Sequence, residues 1–281
     1  NLNLSDCYYQ SEKLVAELIV VGDKETFTAT IVIEEDNEAL FAATWDTTLI
    51  GGTNNNQIKL PLQPSGTYEF IINWGDGTRT FIRDSEGWDE SDLIHTYSTS
   101  GEYTIVMDGI MRGFNFDDIY GQDAGKIIDV VQWGNSSLGN DGAYFKNTIN
   151  LKNISARDAP DLSQTTNLSY MFQSSGLEDV DLNHWNTSSV TTMEGMFKDA
   201  IDFRGYVGKW DTSNVSSISY MFQNAISFNQ PLNDWNTSNM ISMYNTFNNA
   251  VNFNQPLDKW ETGNVTNFGE MFRGAISFNQ S

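Results

Sequence analysis

One cysteine, Cys7, stands among the 281 residues, so no disulfide can close within the chain. Histidine is nearly as scarce, at two residues, which leaves little material for imidazole chemistry or a His-rich metal site. Lys and Arg together number 15 against 37 Asp and Glu, a net charge of −22 that repels nucleic acid and anionic membrane surfaces. No apolar run approaches the roughly 20 residues needed to span a bilayer, so direct membrane insertion of this segment is not expected. Neither an initiator Met nor a signal peptide is present, and Ser281 falls partway through a repeat; both features are expected of a segment of a longer, processed protein.

What is present is aromatic. Seventeen Phe, eleven Tyr and eight Trp in a polar, Asn- and Gly-rich background supply enough anchors to fill real cores, which excludes a disordered chain. The acidity is uneven. Residues 1–124 carry 22 acidic and 6 basic side chains, whereas 125–281 carry 15 and 9, so most of the field comes from the N-terminal part.

The C-terminal part repeats every 25 residues. Trp185, Trp210, Trp235 and Trp260 keep this period, as do Phe172, Phe197, Phe222, Phe247 and Phe272. Ala200, Ala225, Ala250 and Ala275 follow in phase, and Phe203, Phe228, Phe253 and Phe278 complete the set. Trp133 with Tyr144-Phe145 marks an earlier, irregular copy over 125–159, of the kind terminal repeats tend to be. Val215, Ile218 and Phe222 recur at three- and four-residue spacing, which predicts a short helical turn, with Asp211 to Asn214 able to cap its start. Ile226 to Leu232 reads as a short extended piece ended by Pro231. One such unit cannot bury its own apolar face, so stacking is required, and Asn229, Asn254 and Asn279 with their following Gln residues are placed to join successive units through side-chain amides.

The units KWDTSNVSSISYMFQNAISFNQPL and DWNTSNMISMYNTFNNAVNFNQPL resemble the BspA-like leucine-rich-repeat surface proteins, over about 125–281. The resemblance implies a solenoid and a surface role in adhesion. Thr246 stands where the other units carry Met, and the FNQPL segment is replaced by Phe203 to Val207 in one unit.

Upstream, Tyr68 to Trp74 alternates as a strand and runs into Gly75-Asp76-Gly77-Thr78, a strong turn signal. His95-Thr96-Tyr97 and Gly101 to Val106 give a second turn and strand. WGDGT followed by HTYSTSGEYTIVM resembles the polycystic-kidney-disease (PKD) type of immunoglobulin-like domain, whose first strand would be Phe41 to Trp45. The expected fold is therefore multidomain: an all-β immunoglobulin-like (PKD-like) sandwich over 39–118, then a leucine-rich-repeat-like solenoid of short strands and short helical or 3-10 turns over 119–281. Residues 1–38 read as two strands, Leu14–Val21 and Thr26–Ile33, belonging either to a preceding β domain or to the sandwich.

Candidate sites are few. His95 and His184 have no Ser, Cys or carboxylate partner at motif spacing, so no catalytic residue is assigned and an enzyme is not expected. No cofactor is expected either, beyond calcium in two acidic clusters: Asp84, Glu86 and Asp89 in one loop, Asp117, Asp118 and Asp123 in another. A solvated charged loop is the alternative for both. Asn153, Asn167, Asn186, Asn214, Asn236 and Asn264 begin glycosylation sequons, which the repeat's own turn chemistry also explains. The columns that differ between units mark where a rigid repeat scaffold places partner contacts: Glu194, Lys198, Tyr220, Gln223, Tyr244, Asn248, Glu270 and Arg273. The function expected is a non-catalytic, extracellular, cell-surface or secreted module that contacts a protein or glycan. The alternatives are a structural stalk or self-assembling appendage subunit, or the accessory part of a larger glycan-active enzyme. A nucleic-acid partner is not expected.

Overall fold

The computed structural model describes residues 8–10, 13–21, 26–34, 40–84, 87, 89–117 and 123–280. Asn1–Glu38 and Ala39–Ser281 are separate compact units. The first holds β1 (Tyr8–Gln10), β2 (Lys13–Val21) and β3 (Thr26–Glu34) in one antiparallel sheet of that order. β2 and β3 pair without a break from Lys13↔Glu34 to Val21↔Thr26.

The second unit is built around a mixed six-stranded sheet. Its strands in chain order are β4 (Phe41–Asp46), β6 (Leu62–Asn73), β7 (Arg79–Arg83), β9 (Glu102–Phe114), β10 (Ile127–Gln132) and β11 (Asn153–Ile154). They lie in the order β11-β10-β4-β9-β6-β7. β5 (Gln57–Lys59) and β8 (Ile94–Thr96) form a separate two-stranded pair. Alternation explains the long strands: Tyr68, Phe70 and Ile72 of β6 are buried, while Thr67 and Glu69 are exposed. At Gly109 β9 presses so closely on the backbone of Glu69 and Phe70 that no Cβ fits, and the residue takes φ +130°.

This sheet overturns the expected fold class. An immunoglobulin-like sandwich followed by a separate leucine-rich-repeat solenoid requires the first sheet to close before the repeats begin. Instead β10 pairs antiparallel with β4 (Ile127↔Trp45, Val130↔Ala43), and β11 joins β10 in parallel. Strands from the start of the repeat region thus extend the upstream sheet. The core is continuous too: Phe41 meets Phe114 at 5.4 Å, Phe114 meets Phe145 at 5.6 Å, and Phe145 stacks on Phe172 at 5.8 Å.

The expected helical pieces are also absent. Among the described residues the only helical segments are two 3-10 turns, Glu90–Leu93 and Ala124–Lys126, both outside the regular repeats. No named strand occurs after Ile154, only isolated parallel bridges such as Thr192↔Ser217 and Ser217↔Ser242. The reason lies in the backbone. Tyr220 and Asn224 take φ +61° and +59°, and their equivalents in other repeats do the same, so a left-handed residue stands on each side of Met221-Phe222-Gln223 and a right-handed helix cannot pass. Amide donors alternate accordingly. Those of Met221, Gln223 and Ala225 close local turns onto Ile218, Tyr220 and Phe222. Those of Tyr220, Phe222 and Asn224 reach Tyr244, Thr246 and Asn248 in the next repeat at 2.8–2.9 Å.

The repeating columns are therefore core. Phe197, Phe222, Phe247 and Phe272 stack face to face at 5.5–5.8 Å, and Phe203, Phe228, Phe253 and Phe278 form a parallel file at 5.8–5.9 Å. The indoles of the later repeats donate across the stack: Trp210 Nε1 to Leu182 O at 2.7 Å, Trp235 Nε1 to Val207 O at 3.0 Å and Trp260 Nε1 to Leu232 O at 3.0 Å. Thr246, where other units have Met, is buried and its single hydroxyl proton is shared between Met243 O at 2.8 Å and Ile218 O at 3.1 Å, so the hydroxyl costs no unsatisfied polar atom. Asn and Gln knit the rim. Asn254 and Asn279 backbone amides donate to the side chains of Asn229 and Asn254, while Gln255 and Gln280 donate back to the same residues.

Candidate functional site

The residues at which the repeats differ come together on one face. Tyr170 Oη donates to Glu194 Oε1 at 2.7 Å, and the Tyr170 ring covers Gly195 so closely that a Cβ there would collide with it. Burial and the Glu194 carboxylate both raise the Tyr170 phenol above its ordinary value. In the following repeats the Lys198 ammonium lies 5.7 Å from the centre of the Tyr220 ring, and Tyr220 meets Tyr244 edge to face at 5.2 Å. The Tyr244 ring in turn lies on Gly269. At the far end Arg273 Nη1 donates to Glu270 Oε2 at 3.0 Å, and the same oxygen is 3.4 Å from Asn248 Nδ2.

Seven of the eight variable positions thus make contacts along this ridge. For Gln223 the contact is through the backbone, its amide closing the turn onto Tyr220 O. Asn248 is not a free contact residue: it is buried, and its amide bridges Asn245 Oδ1 and Glu270. Tyr170 belongs to the ridge although the sequence reading did not single it out. Extending the column of Gly195, Tyr220, Asn245 and Glu270 one period back would have found it. All five take positive φ, from +55° to +61°. For a non-glycine residue that conformation costs about 1–2 kcal/mol, and four of the five are not glycine.

A second face was hidden because it repeats. Ile201, Ile226, Val251 and Ile276 keep the 25-residue period like the core columns, yet Ile201 is 52% and Ile276 80% exposed. Repetition alone does not distinguish an interior column from an exterior one.

The described members of the two acidic clusters are held in separate contacts. Asp84 accepts from the Tyr68 amide at 2.7 Å; Asp89 caps the 3-10 turn Glu90–Leu93 through Ser91. Asp117 pairs with Lys146 at 3.1 Å. Glu86 and Asp118 lie outside the described residues. Asp123 is fully buried: its oxygens accept from the Thr53 amide and hydroxyl and the Lys59 amide, and Lys126 Nζ is 3.6 Å away. Lys126 donates in addition to Thr53 O, Asn54 O and Gln57 O, so an ammonium occupies the oxygen cage that a cation would seek. Burial pushes Lys126 below its ordinary pKa, opposed by the Asp123 charge. Among the described residues no group of three His, Cys, Asp or Glu is arranged to hold a metal ion.

His184 Nε2 is 3.0 Å from the Asp158 carbonyl. His95 stacks on Trp74 at 4.7 Å, with Asp76 Oδ2 at 2.8 Å and Thr78 Oγ1 at 3.3 Å from its Nε2. Carboxylate and hydroxyl therefore address the same ring nitrogen. A relay needs them on opposite nitrogens, so this cluster is a turn brace. Burial alone would raise Asp76, but hydrogen bonds from Thr78 and His95 outweigh it and hold the carboxyl down at about 2.

Among the described residues no helix is long and apolar enough to cross a membrane. A family model described as "Mycoplasma protein of unknown function, DUF285" matches residues 140–258 and 203–281, together just over half of the chain. No curated protein and no solved structure matches it.

Proposed function

Because the chain belongs to the DUF285 family, whose description carries no activity, we propose on physical grounds that it is a non-catalytic adhesion module, extracellular and cell-surface or secreted. Its repeats hold a rigid core, and the face on which they differ contacts a partner. The observation that carries this reading is the separation of roles: the repeating Trp and Phe columns are buried, while the variable Glu194, Lys198, Tyr220, Tyr244, Glu270 and Arg273 meet on one ridge. The BspA-like repeat pattern supports a surface role in the same direction.

The test is adhesion of the purified protein to cells, wild type against a Tyr220→Asn, Tyr244→Ser double variant. Asn and Ser already occupy these columns at Asn245 and at Ser169 and Ser219, so the backbone is kept. Adhesion should fall to background in the variant with an unchanged melting temperature. Undiminished adhesion overturns the reading.

A second reading, a self-assembling appendage subunit, is favoured by the exposed Ile201, Ile226 and Ile276, whose column the half-buried Val251 completes. Light scattering across a concentration series separates the two. Assembly that vanishes in an Ile201→Ser, Ile226→Ser variant supports it, and a monomer at all concentrations removes it.

A further inference from the structure

Resting on the adhesion reading, we infer that the tyrosine ridge binds a neutral glycan chain laid along the repeats. The argument begins with charge. The whole chain carries −22, and a face recruiting a basic partner would share that excess. The ridge does not: Glu194 and Glu270 are balanced by Lys198 and Arg273. Each charge is also committed within the protein, Glu194 to the Tyr170 hydroxyl, Lys198 to the Tyr220 ring and Glu270 to Arg273. Such a face pulls in neither a cation nor an anion, and its fixed charges serve to orient rings and to exchange hydrogen bonds.

What the ridge does offer is aromatic faces with polar edges. Tyr170, Tyr220 and Tyr244 are each partly exposed, and tyrosine supplies a rigid apolar face at low entropic cost with a hydroxyl at its rim. The apolar C–H face of a pyranose packs on such a ring, and its hydroxyls can donate to the carboxylates of Glu194 and Glu270 or accept from Lys198 and Arg273. A protein partner would instead want an apolar centre to bury. Exposed aliphatic side chains are scattered over the described surface, at Ile50, Ile110, Ile149 and Ile241 as well as in the Ile201 column, and none of the ridge positions carries one.

Spacing adds a third argument. The Phe rings of successive repeats stack at 5.5–5.8 Å and the parallel bridges between repeats hold their backbones about 4.7–4.9 Å apart, on the scale of the length one pyranose adds to an extended glycan. A linear glycan would then keep step with the repeats. The two glycines act as positioning residues, because the Tyr170 and Tyr244 rings lie against Gly195 and Gly269 where a Cβ would collide with them. Ser169 and Ser219 show that the Gly269 column accepts a side chain, so a serine there would lift the Tyr244 ring without straining the chain.

The experiment titrates the intact chain with neutral hexasaccharides of β-1,4-linked glucose, β-1,3-linked glucose and β-1,4-linked N-acetylglucosamine, following tyrosine fluorescence and heat. At least one should bind. Tyr220→Asn and Tyr244→Ser should each weaken binding by about tenfold or more, as loss of a central aromatic contact does. Gly269→Ser should weaken it as well, by displacing the Tyr244 ring while keeping every ridge side chain. Affinity unchanged in all three variants, or no binding by any hexasaccharide, overturns the inference. Should cell adhesion remain dependent on Tyr220 and Tyr244 but be abolished by protease treatment of the cells, the partner is a protein: the glycan inference fails and the adhesion reading stands.

Discussion

Asp123 and Lys126 show how a single residue's role depends on contacts far along the chain. Both side chains are fully buried, and together they pin Thr53, Asn54, Gln57 and Lys59. Removing one partner of such a pair strands a buried charge, which costs about 3–5 kcal/mol. Asp123→Ala should therefore lower the unfolding free energy, read from urea denaturation, by that amount, and a loss under about 1 kcal/mol would show that the pair is not stabilising. Asp76 makes the second residue-scale prediction. Its folded pKa of about 2 lies below the ordinary 3.8, so its contribution to stability is complete above about pH 4 and is lost as pH falls toward 2. Asp76→Asn should destabilise at neutral pH and converge on wild type near the acid end; a constant difference across that range would contradict the assignment. Asp123 looks like a calcium ligand in the sequence because only its acidic neighbours are adjacent there. Lys126 was visible three residues away. Thr53, some seventy residues upstream, was not.

At the scale of the element, periodicity made the core legible and left the backbone hidden. Trp, Phe and Ala at 25-residue spacing identify the buried files with no structure at all. The same spacing predicts a helical turn at Val215, Ile218 and Phe222, yet turns flanked by left-handed residues form instead; Gly195 and Asn245 hint at that conformation, but Tyr220 and Glu270 in the same column mask it. The sheet shared by β4 and β10 was equally illegible, since the pairing joins segments some eighty residues apart. Two tests follow from the files. Trp210 Nε1 donates to Leu182 O, whereas Trp185 Nε1 is buried without a partner. Trp210→Phe should cost about 1 kcal/mol more than Trp185→Phe, read from paired chemical denaturations, and equal costs would deny the indole bond a role. Asn224, at φ +59°, receives Asn249 Nδ2 and donates to Asp199. Asn224→Ala should cost about 1–2 kcal/mol more than Asn224→Gly if backbone strain governs.

For the molecule as a whole the governing quantity is the charge of −22. Like charges crowded on a compact fold repel, and salt screens that repulsion with a Debye length of about 8 Å at physiological strength. The melting temperature should therefore rise as sodium chloride is added from low ionic strength. Calcium chloride at matched ionic strength tests the acidic clusters by the same measurement. The described carboxylates are already engaged: Asp123 by Lys126 and Thr53, Asp117 by Lys146, Asp84 by the Tyr68 amide and Asp89 by Ser91. A bound ion adds stability in proportion to the logarithm of its concentration over its Kd. A site would thus show as a calcium increment beyond the sodium curve, reversed by chelator. The expected result is that the two salts trace one curve. An excess of several degrees with calcium would mean that carboxylates satisfied within the protein nevertheless release their partners for a metal.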